Sequence, residues 1–175
     1  MKAINKHGIT LGLITVCLVL GTITNSISQT KSQKTNTMET ITKKQSKEIV
    51  QGFFTAFGKG DFNGVLSSFH DSCIVIAVRD SQRNGTQIYG TYKGKGGVKT
   101  FLSNLGSIFD TKAFTVENIV SEGDVSFANG KFSHVVKATG KSFPSDWALM
   151  CIVKDNKILE YHFYEDSEKF SESNR

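Results

Sequence analysis

The chain has 175 residues and a formal net charge of +5, and this charge is unevenly distributed. Residues 48–175 contain 14 Lys and Arg against 15 Asp and Glu, a net charge of −1. A nucleic-acid-binding domain concentrates its basic residues on the folded part of the chain. The composition therefore argues against a nucleic acid partner, and we interpret the basic excess near the N-terminus as a solvated segment, at most loosely attracted to an anionic surface.

The first 28 residues are predicted to be a secretory signal. Lys2 and Lys6 precede an uncharged apolar run from Ile9 to Ile23. That run is shorter than the roughly twenty residues of a bilayer-spanning helix, and small residues follow it at 26–28. We expect cleavage before Gln29 and export to the periplasm or medium, with no membrane association afterwards. The alternative is an uncleaved N-terminal membrane anchor.

The rest of the chain is predicted to contain one domain. Residues 29–45 are mainly Thr, Ser, Lys, Gln and Asn, which cannot bury enough apolar surface to offset the entropy of ordering, so they indicate a flexible polar tether. Residues 46–170 have the usual size of a single domain with one core. Residues 171–175 are predicted to be a C-terminal tail.

Three helices are predicted in the first half of the domain. Apolar residues recur at helical spacing from Lys47 to Phe57, and the glycines that follow end this helix. Asp61 is placed to cap a second helix, whose apolar stripe reaches Phe69. A third helix carries apolar residues from Val98 to Phe109, after a loose glycine-rich segment.

The other segments are predicted strands. A strand buried on both sides covers Cys73 to Val78, and a short strand lies near residues 88–92. Four long strands then cover residues 113–121, 125–138, 143–154 and 158–166, the last two joined by a tight turn at 154–157. Helices followed by an antiparallel meander predict an α+β fold, with three N-terminal helices covering one face of a curved antiparallel sheet.

Several phrases, taken in this order and spacing, carry a family resemblance. They are FFTAFGKGDFNGVLSSFHDSC, YGTYKGKGGVKTFL and ATGKSFPSDWALMCIVKDNKILEYHFYEDSEKF. Together they resemble the SnoaL-like branch of the nuclear transport factor 2-like superfamily, which also includes ketosteroid isomerase, over residues 46–170. The resemblance implies a cone-shaped, cystatin-like α+β barrel with a deep pocket, often a homodimer. It also implies a range of roles, since the family contains isomerases, cyclases, hydrolases, dehydratases and non-catalytic binders.

The most specific comparison that the resemblance allows is with the catalytic residues of ketosteroid isomerase. That enzyme uses a carboxylate base, with a tyrosine and a protonated aspartic acid as oxyanion donors. By the resemblance, the tyrosine position falls on Phe53, the base on Ala77 and the second acid on Leu149. All three residues are apolar, so this chain does not use that mechanism.

The alternation of side chains along the strands predicts other residues that face the pocket. His134 shares a face with Phe132, and Trp147 shares one with Leu149, so these four are expected on the inner face of the sheet. His134 is the candidate general base or hydrogen-bonding group, because an imidazole titrates near neutrality. The alternative is a half-buried histidine satisfied by a neighbour.

The last strand and the end of the first one complete the candidate site. Tyr161, Phe163 and Glu165 share one face of the last strand, and Glu165 is a candidate catalytic carboxylate unless it lies at the rim. Arg79 has the same inward parity if the strand from Cys73 continues, and could bind an anionic ligand group. The ligand-binding set is therefore Phe53, Arg79, Phe132, Trp147, Leu149, Tyr161 and Phe163.

No cofactor or metal is expected, because the histidines lack ligand spacing and no phosphate-binding loop is present. Cys73 and Cys151 are interpreted as buried free thiols, with a disulfide as the alternative. The leading hypothesis is an exported, homodimeric domain that binds a small apolar organic molecule. The alternatives are a cofactor-free acid–base enzyme of isomerase, cyclase or hydrolase type, with His134 as base, and a module that binds a partner protein through the sheet.

Overall fold

The computed structural model describes residues 45–175, so the predicted signal and nearly all of the predicted tether lie outside the described residues. The helices are α1 (Ser46–Gly58), α2 (Phe62–Ser67), α3 (Gly94–Ile108) and α4 (Ser167–Ser173). The strands are β1 (Phe69–Ala77), β2 (Gly90–Lys93), β3 (Phe109–Glu122), β4 (Val125–Val136), β5 (Ser142–Lys154) and β6 (Lys157–Glu165). The predicted α+β class is confirmed.

All six strands form one curved, unclosed sheet in the order β2-β1-β6-β5-β4-β3. Neighbouring strands are antiparallel except β1 and β6, which are parallel. Sequence patterns predicted an antiparallel meander only, because they do not show which early strand pairs with the last one. Two register shifts in β3, at Thr111/Ala113 and Val116/Asn118, are the kind of irregularity that bends a strand.

The helix boundaries follow local chemistry. The Asp61 side chain accepts a hydrogen bond from the backbone N–H of Gly64 at 2.9 Å, so the predicted N-cap of α2 is confirmed. The α3 helix begins at Gly94, in the segment predicted to be loose. Glycine is required there for a packing reason: a Cβ on Gly97 would lie 2.9 Å from the backbone carbon of Tyr92. The glycines therefore let α3 approach β2 closely.

The long hairpins form as predicted. Asp155 and Asn156 have φ values of 51° and 56°, as both central residues of a two-residue type I′ turn require, and they join β5 to β6. On the neighbouring strand, Gly130 leaves no space for a side chain. A Cβ there would collide with the carbonyl oxygen of Thr115 and lie 2.8 Å from Cζ2 of Trp147.

The chain end packs onto the sheet, which differs from the tail expected at 171–175. Phe170 and Ser173 of α4 are buried, and the Ser173 hydroxyl donates to the carbonyl of Ser142 at 3.1 Å. The Phe170 ring lies 5.2 Å from that of Phe109 and 5.4 Å from that of Tyr89. Helix α4 therefore supports two residues of the cavity described below.

Candidate functional site

An internal cavity of about 250 Å³ lies between helices α1 and α3 and the inner face of the sheet. Its aromatic lining residues are Phe53, Phe54, Phe57, Phe69, Tyr89, Phe101, Phe109, Phe114, Tyr161 and Phe163. A purely apolar cavity of about 150 Å³ already accepts benzene, so this one has room for a larger organic molecule. Its surface is mostly carbon, and its few polar groups would set the orientation of a ligand.

The aromatic wall depends on how α1 meets β6. Phe53 and Phe57 are one helical turn apart and their rings stack at 6.1 Å, while the Phe53 ring meets Tyr161 edge-on at 5.5 Å. Tyr161 and Phe163 are two residues apart on β6, so both project to the inner face, where their rings lie 6.2 Å apart. Burial raises the pKa of Tyr161, which keeps its phenol neutral. Of the predicted binding residues, Phe53, Tyr161 and Phe163 line the cavity.

A carboxyl–phenol pair stands in this apolar wall. The Tyr89 hydroxyl donates to Oε1 of Glu165 at 2.7 Å, and both residues line the cavity. Burial, with a smaller contribution from Asp166, raises the pKa of Glu165 to about 7, although the bond from Tyr89 works in the opposite direction. The pKa of Tyr89 is also raised, chiefly by burial and by Glu165. Near neutral pH the Glu165 carboxyl is therefore populated in both protonation states.

His134 lines the same cavity but has different properties. It is 7% exposed and its ring stacks between Phe132 at 4.1 Å and Phe109 at 4.8 Å. Burial lowers the pKa of His134 to about 4, so its imidazole is neutral at physiological pH. Within residues 45–175 its Nδ1 atom is buried without a hydrogen-bond partner. A ring that stays neutral at physiological pH suits hydrogen bonding better than proton abstraction.

Three predicted binding residues lie behind the cavity wall rather than in it. Phe132 supports His134, as described above. Trp147 stacks on Phe114 at 5.1 Å and on Phe163 at 5.6 Å, so it holds two residues that do line the cavity. Leu149 is 1% exposed and is paired with Phe163 in the sheet. All three side chains are buried, and none of them belongs to the cavity lining.

Arg79 lies outside the cavity because β1 ends before it, whereas the prediction assumed that the strand continues through Arg79. The strand stops at Ala77, and Val78 adopts a φ of 65°. The Arg79 N–H then donates back to the carbonyl of Ala77 at 2.8 Å, a tight reversal that breaks the alternation of the strand. Arg79 is exposed and lines a second, outer pocket together with Tyr89.

Sequence reasoning missed Tyr89 as a site residue. The short strand predicted near residues 88–92 begins only at Gly90, so Tyr89 stands at the end of the irregular segment before it and strand alternation does not give its direction. The inner stripe of α3, which includes Phe101 and Leu105, was found as helical periodicity, but its contribution to the cavity was not. A tyrosine that follows a turn signal is too common a pattern to predict a partnership with a carboxylate 76 residues later.

Other functional groups are constrained as well. Cys73 and Cys151 are both buried free thiols, on strands that β6 separates. Among residues 45–175, no cluster of three His, Cys, Asp or Glu side chains is arranged to hold a metal ion. Within the same range, no helix combines the length and the apolar character needed to cross a membrane.

Residues 50–161 match the family model of the SnoaL-like domain, and the chain belongs to this family. Among solved structures it is similar to an NTF2-like protein from Burkholderia thailandensis, with 20% identity over 76% of this chain and 99% of that one and a TM-score of 0.67. It is also similar to TerC crystallised with polyporic acid, with 19% identity, coverage of 74% and 97%, and a TM-score of 0.63.

A third similar structure, from Mesorhizobium loti, is described as a candidate SnoaL-like polyketide cyclase. It shares 23% identity over 67% of this chain and 96% of that one, with a TM-score of 0.56. No curated protein sequence matches the chain. At these identities the structural comparisons establish the NTF2-like fold, and the chemistry of the site has to be argued from its own residues.

Proposed function

We propose that the domain binds a small, mainly apolar and aromatic organic molecule in the internal cavity. The observation that carries this proposal is the cavity itself, about 250 Å³ of space bounded largely by aromatic side chains. Maintaining such a space forgoes packing contacts that would otherwise stabilise the fold, so it is best explained by a ligand. TerC, which has a similar fold, was crystallised with polyporic acid, a precedent for an organic molecule in this architecture.

A cavity-filling variant tests the binding role. The fluorescent probe is uncharged N-phenylnaphthylamine, which brightens in apolar surroundings. Ala77 lines the cavity, so Ala77→Phe places a ring inside it, and the matched control Ala113→Phe adds the same ring at an exposed position on β3. We expect Ala77→Phe to weaken probe binding at least about tenfold and Ala113→Phe to leave it unchanged.

Because Ala77→Phe can overpack the core, Leu105→Phe on α3 provides a second, milder reduction of the same space. Saturable binding that both cavity variants weaken supports the proposal. Binding that is equally strong in wild type and in folded cavity variants contradicts it, because the probe would then occupy a different surface.

The Glu165–Tyr89 pair favours acid–base catalysis as the second candidate function. A carboxyl with a pKa of about 7 can accept or return a proton near neutral pH, and Glu165 does so from a largely aromatic cavity wall. The pKa of His134 is only about 4, so its neutral ring is a weaker base than the Glu165 carboxylate. We therefore propose Glu165, rather than His134, as the base. His134 then becomes a hydrogen-bonding group that orients a polar atom of the substrate.

Nitrobenzisoxazole tests whether Glu165 can act as a base on a bound molecule, because its ring opens when a base removes one carbon-bound proton. We expect a rate that rises with pH through about 7, and Glu165→Gln should lower it by about 10²–10⁴-fold. The control His134→Phe should keep the inflection. Equal rates for wild type and Glu165→Gln would exclude Glu165 as a base that a ligand in the cavity can reach.

We also propose that the outer face of the sheet meets a second copy of the chain, with a different partner protein as the alternative. On this face Val120, Phe127 and Tyr164 are 61%, 55% and 45% exposed, an unusually apolar strip for a surface. Phe127→Glu should convert a dimer to a monomer in light scattering after size exclusion. A wild type that is monomeric at high concentration contradicts the homodimer.

Export remains part of this proposal and rests on the predicted signal at residues 1–28. N-terminal sequencing of the protein recovered from its own host should give a chain that begins at Gln29. A cell-associated protein that retains its first residues would instead support the uncleaved anchor.

A further inference from the structure

The outer pocket adjoins the aromatic cavity and differs from it in charge. The two spaces share the lining residues Val78, Ile88 and Tyr89, so they meet at these side chains. The outer pocket is also lined by Arg79 and Arg175 and by several polar residues. An apolar cavity and a pocket lined by two arginines are therefore adjacent, and Asp166 is, besides Glu165, the acidic residue that acts on Tyr89 at their boundary.

The backbone places Arg79 at the outer pocket. Val78 has a φ of 65°, in a region that a β-branched residue rarely adopts, and its N–H donates to the carbonyl of Phe163 at 2.8 Å. With the return bond from Arg79 to Ala77, this reversal turns the chain out of β1. Val78 faces the cavity while Arg79 is exposed beside it. Strained backbone of this kind is concentrated at functional sites.

Arg79 is available for a ligand. In the described part of the chain, the ion pairs within 4.0 Å do not include Arg79, and none of its side-chain nitrogens takes part in a hydrogen bond. Arg175 donates to the hydroxyl of Ser171 at 3.2 Å, which leaves further donors on its guanidinium. Arg79 is close enough to Tyr89 to act on its hydroxyl, since it opposes the rise in the pKa of that phenol.

The inner cavity, by contrast, disfavours an anion. Its ionisable groups are the neutral His134 ring, two neutral phenols and Glu165, which becomes negative above about pH 7. A buried anion without a cationic partner is strongly unfavourable. We therefore expect an anionic group of a ligand in the outer pocket, which Arg79 lines, rather than in the cavity.

We propose that the physiological ligand is an amphipathic organic acid, whose apolar body occupies the cavity and whose carboxylate or similar anionic group binds Arg79 at the outer pocket, with Arg175 assisting. This inference rests on the proposed binding function and specifies its ligand class. The shared lining residues Ile88 and Tyr89 then contact the ligand where its apolar body meets its anionic group.

A pair of probes separates the two proposals. N-phenylnaphthylamine and anilinonaphthalene sulfonate share an aromatic body, and only the second carries an anionic group. Both are titrated at low salt into wild type, Arg79→Gln, Arg79→Lys and the charge-matched control Lys131→Gln, a distant exposed position on β4. Near-ultraviolet circular dichroism checks that every variant is folded, because the sulfonate probe also binds loosely packed proteins.

We expect Arg79→Gln to weaken the sulfonate about three- to tenfold and to leave the uncharged probe unchanged. Arg79→Lys should recover part of the affinity, and Lys131→Gln should match wild type. Salt should weaken the sulfonate selectively. If Arg79→Gln leaves the sulfonate unchanged, or weakens both probes equally, the anion site is refuted while cavity binding stands. If neither probe binds wild type, the proposed binding function fails as well.

Discussion

The two titratable groups of the cavity have opposite effects on stability, and this leads to a prediction about pH. Burial raises the pKa of Glu165 from 4.5 to about 7 and lowers that of His134 from 6.5 to about 4. Each difference corresponds to about 3 kcal/mol, since one pKa unit is worth roughly 1.4 kcal/mol.

The signs follow from proton binding. Between pH 4.5 and about 7 the folded protein keeps the Glu165 proton that the unfolded chain has lost, so stability from this group falls as pH rises through about 7. Between pH 6.5 and about 4 the unfolded chain gains a proton on His134 that the folded protein refuses, so stability falls as pH falls. In the wild type the two slopes largely cancel.

Substituting one group at a time should reveal how each of them makes the free energy of unfolding depend on pH. We expect the free energy of unfolding of Glu165→Gln, relative to wild type, to increase by up to about 3 kcal/mol between pH 4.5 and pH 8. His134→Phe should show the opposite trend, gaining relative to wild type as pH falls. Urea unfolding at five pH values measures both, and the isosteric control Glu117→Gln, at an exposed position, should follow wild type throughout. A constant difference between Glu165→Gln and wild type across this range would refute the assigned burial of Glu165.

Two further predictions concern packing. Gly130→Ala should lower the free energy of unfolding by about 1–3 kcal/mol, because the added methyl group collides with the backbone of β3. The control Gly52→Ala, in α1, adds a methyl group that meets no atom within 4 Å, so it should be neutral or stabilising. Equal urea midpoints for the two variants would contradict this difference. Cys73 and Cys151 should resist iodoacetamide in the native protein and react after unfolding, because both thiols are at most 1% exposed and burial raises both pKa values. Peptide mapping by mass spectrometry identifies each thiol, and modification of either one in the native protein would indicate an opening of the sheet.

Local signals were sufficient for much of the fold. The helical spacing before Gly58, the Asp61 cap and the type I′ turn at 155–156 all depend on residues close together in the chain, and all were predictable. Strand alternation also assigned His134, Tyr161 and Phe163 to the inner face, because side-chain direction in a strand has a period of two. Wherever the pattern was interrupted, prediction ended. Arg79 is the example, since the positive φ of Val78 overrides its parity.

The amino-acid sequence by itself determined the α+β class, most element positions, the inner faces of the strands and the family resemblance, since these are encoded in spacing and in short-range chemistry. Only the tertiary structure decided that β1 runs parallel to β6, that Tyr89 reaches Glu165, and that Trp147 supports the cavity without lining it. Each of these contacts joins residues far apart in the chain. Whether two such groups meet, and how deeply they are buried, depends on the packing of the whole sheet, and the same burial sets the pKa values of Glu165 and His134.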